Sequence, residues 1–268
     1  MSNENELCAE KSRGGQPVWR LENDNSQPVI TAAEQIHSAH RGCHLQLPQT
    51  ALVFFMSKGP DYLCTHYDAE ELPEPFPCFL RRRPVWQLRD WPICFLFGGS
   101  GAPQAADTVE TLAALGVTRI IAAGMFGAFS ARVQPGEIIV PHKAFVEEGT
   151  SLHYYTAIDE AEPDAEMQHT VAEILQKRDF SIVSTDAVYR QTFRKEQLWR
   201  EKGAVGVDME TSAVFSVSSY LGLKTAALLM ASDLHPESPD APKWQWLMTG
   251  DMRGVLTEQA LTAAKAVL

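Results

Sequence analysis

ICFLFGGSGAPQAADTVETLAALGV, residues 93–117, runs from strand to helix through a single glycine turn. Ile93 to Phe97 is a short, wholly apolar run, the signature of a buried strand. Gly98-Gly99-Ser100-Gly101-Ala102-Pro103 interrupts it. A helix is predicted from Gln104 to Leu115, with Val109, Leu112 and Leu115 on one side and Gly116 as its stop. The same alternation continues outward. Upstream, Ala51 to Met56 (ALVFFM) reads as a buried strand ended by Ser57-Lys58-Gly59-Pro60, and Ala33 to Ala39 as a short helix. Asp68 to Pro77 reads as a loop. Cys78 to Trp91 suits a hairpin with Asp90 at or beside its turn. Downstream, strands are predicted at Arg119–Ala123, Glu137–Pro141, Lys143–Val146, Phe180–Ser184 and Thr225–Ala231. Helices are predicted at Asp164–Arg178, Arg194–Lys202, Asp208–Leu221 and Leu256–Leu268. Apolar strands alternating with helices predict a single-domain, three-layer α/β/α fold with a mixed, largely parallel central sheet. Residues 1–28 are polar and read as a flexible N-terminal arm, leaving 29–268 as the functional domain.

Composition narrows the function. The 268 residues are 45% hydrophobic and 21% charged, enough for a sizeable core. A net charge of −11 argues against nucleic acid or an anionic membrane as partner. The five cysteines are widely spaced, with no C-x-x-C pair, as for reduced thiols in a cytoplasmic protein. Neither a signal peptide nor a membrane span is read.

Several local features carry chemistry. The Gly98–Pro103 loop, between a strand and a helix, is either an anion cradle or a tight turn. It lacks a P-loop G-K-S/T, and its third dinucleotide glycine falls at Gln104. Gly98-x-Ser100 approaches a nucleophile elbow, but Ala102 replaces the second glycine. Asp208 and Glu210 flank a helix start, where a carboxylate caps the helix or, at Glu210, accepts sugar hydroxyls. Asp233 ends an apolar strand, the place where open α/β sheets bind ligands. Glu147 to Tyr154, with Ser151 and His153, is either a polar loop or a pocket wall. Arg81-Arg82-Arg83 is the one basic cluster, a solvated strand face or an anion contact.

Taken together, these segments resemble the nucleoside phosphorylase family, the branch that includes uridine phosphorylase, purine nucleoside phosphorylase and related nucleosidases. The resemblance rests on Gly98–Val117, Gly124–Tyr155, Ser184–Arg190 (STDAVYR), Gly206–Val217 (GVDMETSAVFSV) and Ala231–Asp233, in that order. It implies an enzyme that cleaves the N-glycosidic bond of a nucleoside, purine rather than pyrimidine, by phosphorolysis. It implies Asp233 as the acid that protonates the base. Glu210 and Met209 would hold the ribose, and Val188, Tyr189 and Arg190 would line the base. Lys58, Gly59, Gly99, Ser100, Gly101 and Arg82 would meet the anion, with Ser151 and His153 in the pocket. No metal or organic cofactor is implied; inorganic phosphate is the co-substrate. A homodimer or homohexamer is implied as well.

Two departures pull in opposite directions. Ala122 and Met125 stand where the family places an arginine and a Ser or Thr on phosphate. That favours water as nucleophile, or a protein that binds nucleosides without turnover. Yet Ser57-Lys58-Gly59 stands where the related hydrolases place a water-activating glutamate. A general acid contributes about 10²- to 10⁴-fold, so Asp233 is expected in a desolvated site with a raised pKa. Acyl hydrolysis by Ser100 is the last reading.

Overall fold

A computed structural model describes residues 26–38 and 42–268. Most of the expected arm, Cys8 and the predicted helix end at Ala39 lie outside the described residues. The chain opens with α1 (Ala32–His37), held by a capping box in which the Thr31 side chain accepts from Glu34 N at 3.2 Å and the Glu34 carboxylate accepts from Thr31 N at 2.9 Å. Next come β1 (Thr50–Phe54), α2 (Gly59–His66), β2 (Ala69–Glu71), β3 (Val85–Leu88), β4 (Ile93–Phe97), α3 (Ala102–Ala114) and β5 (Arg119–Ala128). The second half contains β6 (Ile138–Ile139), β7 (Lys143–Glu147), β8 (Glu160–Ala161), α4 (Ala165–Leu175), β9 (Ser181–Thr185), α5 (Phe193–Glu201) and β10 (Ala204–Asp208). It ends with α6 (Thr211–Tyr220), β11 (Lys224–Leu234) and α7 (Gly250–Ala266).

The strands form one mixed sheet in the order β2-β3-β4-β1-β5-β10-β9-β7-β8, with β11 paired to β5 and β6. Pairing is parallel along β4-β1-β5-β11 and β10-β9-β7. The long β5 joins the two parallel groups. Its first half pairs β1 and its end pairs β10 antiparallel, while β11 follows its other edge.

Strand periodicity explains the three layers. Ala51, Val53, Ile120 and Ala122 point to one face and pack with Val109 and Leu112 of α3 and Val214 and Phe215 of α6. Leu52, Phe54, Ile121 and Ala123 point to the other, against Leu63 of α2, Val171 of α4 and Leu256 of α7. Strands apolar at every position are those covered on both faces. This is the expected α/β fold.

Several boundaries differ from expectation. Gly59-Pro60 does not merely end β1 but begins α2, because proline is well suited to the first helical turn. The Asp68–Pro77 segment contains β2, an exposed edge strand whose charged side chains hide its pattern. The bend beside Asp90 joins β3 to β4, so the hairpin extends past Trp91. The Glu137–Pro141 strand shrinks to two residues. β10 has no counterpart among the expected strands, and α6 begins at Thr211, not Asp208. α7 starts at Gly250, where Thr249 caps it by accepting from Met252 N at 3.2 Å.

Candidate functional site

The carboxyl ends of β4, β1, β5 and β11 lie along one edge of the sheet, and the candidate residues follow them. Gly98–Gly101 leaves β4, Lys58 and Gly59 follow β1, Gly124 and Met125 lie on β5, and Asp233 lies near the end of β11. The register aligns Asp233 with Gly127 and Gly127 with Val207. Asp233 therefore shares a row of the sheet with the end of β10, three residues before Glu210.

The glycine turn is built for close approach. Gly99 and Gly101 have φ of +99° and +80°, a region that side-chain-bearing residues avoid. The turn opens α3, which has no side-chain N-cap. Its amides are taken by side-chain oxygens: Ser100 N donates to Gln104 Oε1 at 3.3 Å and Gly101 N to Glu210 Oε1 at 2.6 Å. Glu210 thus meets the glycine turn directly. Burial, and then the nearby Asp208 carboxylate, push its pKa up.

Among the arginines, Arg82 is exposed, while its neighbour Arg83 is buried and turned toward the glycine turn. Arg83 Nη1 donates to Phe97 O at 2.8 Å and lies 2.9 Å from where a Cβ on Gly99 would sit. Ala122 is enclosed in the apolar cluster under α3 and α6. Lys58 is exposed and lines a cleft of about 220 Å³ with Asp61, His66 and Arg253. Gly59 is buried against the Phe54 ring.

Asp208 is a cap. It accepts from Thr211 N at 3.1 Å, from the Thr211 hydroxyl and from Ser184 Oγ. Ser151 is fully buried and ties its loop to α6. It donates to Glu148 through its amide (3.0 Å) and its hydroxyl, and its Oγ lies 2.7 Å from Ser216 Oγ. Ser212 Oγ also donates to Glu148, at 3.0 Å. Met209 is half-buried beside Glu210. Val188, Tyr189 and Arg190 form an exposed 3₁₀ turn, and Tyr189 is 95% exposed. His153 lines an apolar groove with Pro103 and Tyr154.

Asp233 departs from expectation. It is buried, as anticipated, yet its pKa is lowered rather than raised. Desolvation pushes it up, but hydrogen bonds from His235, Ser232 and Trp244 outweigh burial. His235 Nε2 lies 3.4 Å from Asp233 Oδ2, and its Nδ1 lies 2.7 Å from Glu196 Oε1. Burial opposes the imidazolium, but the two carboxylates prevail and raise His235 to about 9. The proton at this end of β11 therefore sits on His235. Trp244 Nε1 donates to Asp233 Oδ2 and covers it. Gly127 makes the room, since a Cβ there would meet His235 Nε2 at 2.3 Å.

His235, Glu196, Trp244, Glu148 and Arg83 escaped the sequence reading as individuals. Two carried a signal. His235 follows Asp233 by two positions, the spacing that keeps side chains on one face of a strand. Arg83 lies two residues before Val85, which begins β3 with its side chain inward. Glu196 is hidden on a charged helix and Trp244 in a long connection.

The profile of a family described as Phosphorylase superfamily matches residues 61–265. A guanosine phosphorylase of Halorubrum lacusprofundi is 30% identical over 135 residues, 48% of this chain and 56% of that relative. The match thus spans little more than half of the relative's length. The crystal structure of uridine phosphorylase from Vibrio fischeri superposes with a TM-score of 0.64 at 26% identity, covering 83% of this chain and 91% of that one. That of AMP nucleosidase from Bacteroides thetaiotaomicron gives 0.68 at 18% identity, covering 89% and 98%, and shows a shared fold.

Proposed function

The chain belongs to the phosphorylase superfamily, and from that premise we propose that it cleaves the N-glycosidic bond of a purine nucleoside by phosphorolysis, releasing the base and ribose 1-phosphate. The observation that carries this reading is the Glu196–His235–Asp233 chain at the end of β11. A purine leaves C1′ poorly as an anion and needs a proton. As the bond lengthens, the ring nitrogen facing Asp233 gains basicity. His235 Nε2 passes its proton to Asp233, which passes it to the base, and Glu196 stabilises the imidazolium beforehand. Glu210 holds the ribose hydroxyls next to the glycine turn, and positioning contributes further to the rate. Phosphate seated on that turn attacks C1′ from the face opposite the base.

Hydrolysis is the second reading, favoured by Ala122 and its apolar enclosure. It keeps the same acid and ribose contacts and replaces phosphate with water. One experiment separates the two. Inosine, guanosine, adenosine, uridine and AMP are each incubated with and without inorganic phosphate, and free base is measured. Phosphorolysis predicts release from a purine nucleoside that rises at least tenfold with phosphate. Equal release without phosphate establishes hydrolysis, and release from uridine alone removes the purine assignment.

A further inference from the structure

We propose that Arg83 grips the phosphate oxyanion of the reaction, taking over within the same subunit the task that Ala122 leaves undone. The proposal rests on the phosphorolytic reading above and names the residue that would make it work.

Arg83 is 6% exposed. Its Nε donates to Arg81 O at 3.3 Å and its Nη1 to Phe97 O at 2.8 Å, both backbone acceptors that fix its direction. Its Nη2 is buried and has no hydrogen-bond partner. A buried charged donor left unpaired is costly, and an ion that arrives later is one established reason for such a group. No ion pair to Arg83 is found among the described residues. The guanidinium is planar, so Nη2 stands alongside Nη1 at the Gly99 turn, where a Cβ would come within 2.9 Å of Nη1.

The turn points to the same ligand independently. It opens α3 without a side-chain cap, so the positive end of the helix lies at the turn that Arg83 approaches. Glu210 already places a carboxylate oxygen on Gly101 N, and Gln104 places an amide oxygen on Ser100 N. These side-chain oxygens occupy positions that a phosphate oxygen would claim. Glu210 is the one acidic group seen on the turn. Burial and the Asp208 carboxylate push its pKa up, which lessens its repulsion of an anion. A rigid fork beside the amides of the turn matches phosphate geometry, which a lysine in the same place would not.

The test is calorimetric titration of inorganic phosphate into the full chain and the variants Arg83→Met, Arg83→Lys and Arg82→Met. Arg83→Met is expected to weaken phosphate roughly ten- to hundredfold, the loss of a hydrogen bond to a charged group. Arg82→Met, at the exposed neighbour, should stay within about twofold of the parent. If Arg83→Met does not fold, Arg83→Lys carries the test, and a folded Arg83→Lys with undiminished affinity overturns the proposal. Equal affinity in Arg83→Met, or no phosphate binding by the parent chain, also overturns it. AMP titrated without phosphate tests the other source of the same oxyanion. Arg83-dependent binding of AMP with none of inorganic phosphate moves the site to a nucleotide's phosphate and overturns the assignment. Arg83-dependent phosphate binding with no base released from any nucleoside leaves this site standing and removes the proposed reaction. Phosphate-dependent base release that Arg83→Met leaves undiminished does the reverse.

Discussion

Asp233 and His235 face each other at 3.4 Å, and their opposite shifts make a statement about stability. The unfolded reference values are about 3.9 for Asp and 6.5 for His. His235 is raised to about 9, so its contribution is complete below about 6.5 and is lost as pH climbs through about 9. Asp233 is lowered, so its contribution is present above about 3.9 and is lost as pH falls through its lower folded value. The other groups facing the imidazole do not reverse this. Glu196 contacts Nδ1, and Arg200 approaches Glu196 Oε2 at 3.7 Å. His235→Gln is therefore expected to lower the melting temperature by roughly 4–8 °C at pH 7, about 2 kcal/mol for charge-assisted hydrogen bonds in a chain of this size. The deficit should vanish near pH 10, where the parent imidazole is neutral. Melting curves at both pH values check it, and an equal deficit at pH 10 shows that packing rather than charge was lost. Sequence singled out Asp233 and Glu210 because each ends or opens an element, and the structure places Asp233 near the end of β11 and Glu210 against the glycine turn. It chose Arg82 where the structure turns Arg83 inward, since a triplet of like residues carries no face information. It also assigned Asp233 the opposite protonation, because Glu196 and Trp244 are 37 and 11 positions away in the chain.

At the scale of elements, α3 was readable from its apolar spacing and glycine stop, α5 as a charged, exposed run, and β1 and β4 as short, wholly apolar runs. β10 was not, because Gly206 inside a five-residue run reads as a break. The connection between β11 and α7 has no regular period, yet it delivers Trp244 to Asp233 and Leu247 N to Ser232 O at 3.2 Å. Trp244 itself is 51% exposed and tilted at 57° against Trp246, with ring centroids 6.4 Å apart. In the proposed reaction a purine would meet the same Asp233 carboxylate oxygen and compete with the indole N–H. Trp244→Phe keeps an aromatic ring and removes that donor. Its KM for the favoured purine nucleoside is expected to fall about three- to tenfold, the equivalent of one hydrogen bond no longer broken on binding. A tenfold rise in KM, read in the same steady-state assay, shows instead that Trp244 holds the base.

The whole molecule joins its site to an apolar surface through one helix. α3 carries the glycine turn at its N-terminus. Along its outer side runs a groove of about 800 Å³ lined by Ile30, Phe79, Leu80, Ala106, Tyr154 and Tyr220. Phe79, Leu80 and Tyr220 are 59%, 55% and 57% exposed. A contiguous apolar surface of this kind marks an interaction site more often than a solvated face. Two copies of a chain with net charge −11 repel each other, so self-association needs apolar contact to prevail. A stable interface buries about 800 Å² per partner, so the groove would form only part of it. The homodimer or larger assembly implied by the sequence is thus expected to close over this groove, bracing the helix that opens at the glycine turn. Light scattering at micromolar concentration should return a mass at least twice 29.7 kDa. Leu80→Glu places a charge in the groove and should return the monomer mass without changing the circular dichroism spectrum. A monomeric parent chain sinks the assembly, and a Leu80→Glu variant that still assembles moves the interface to another face.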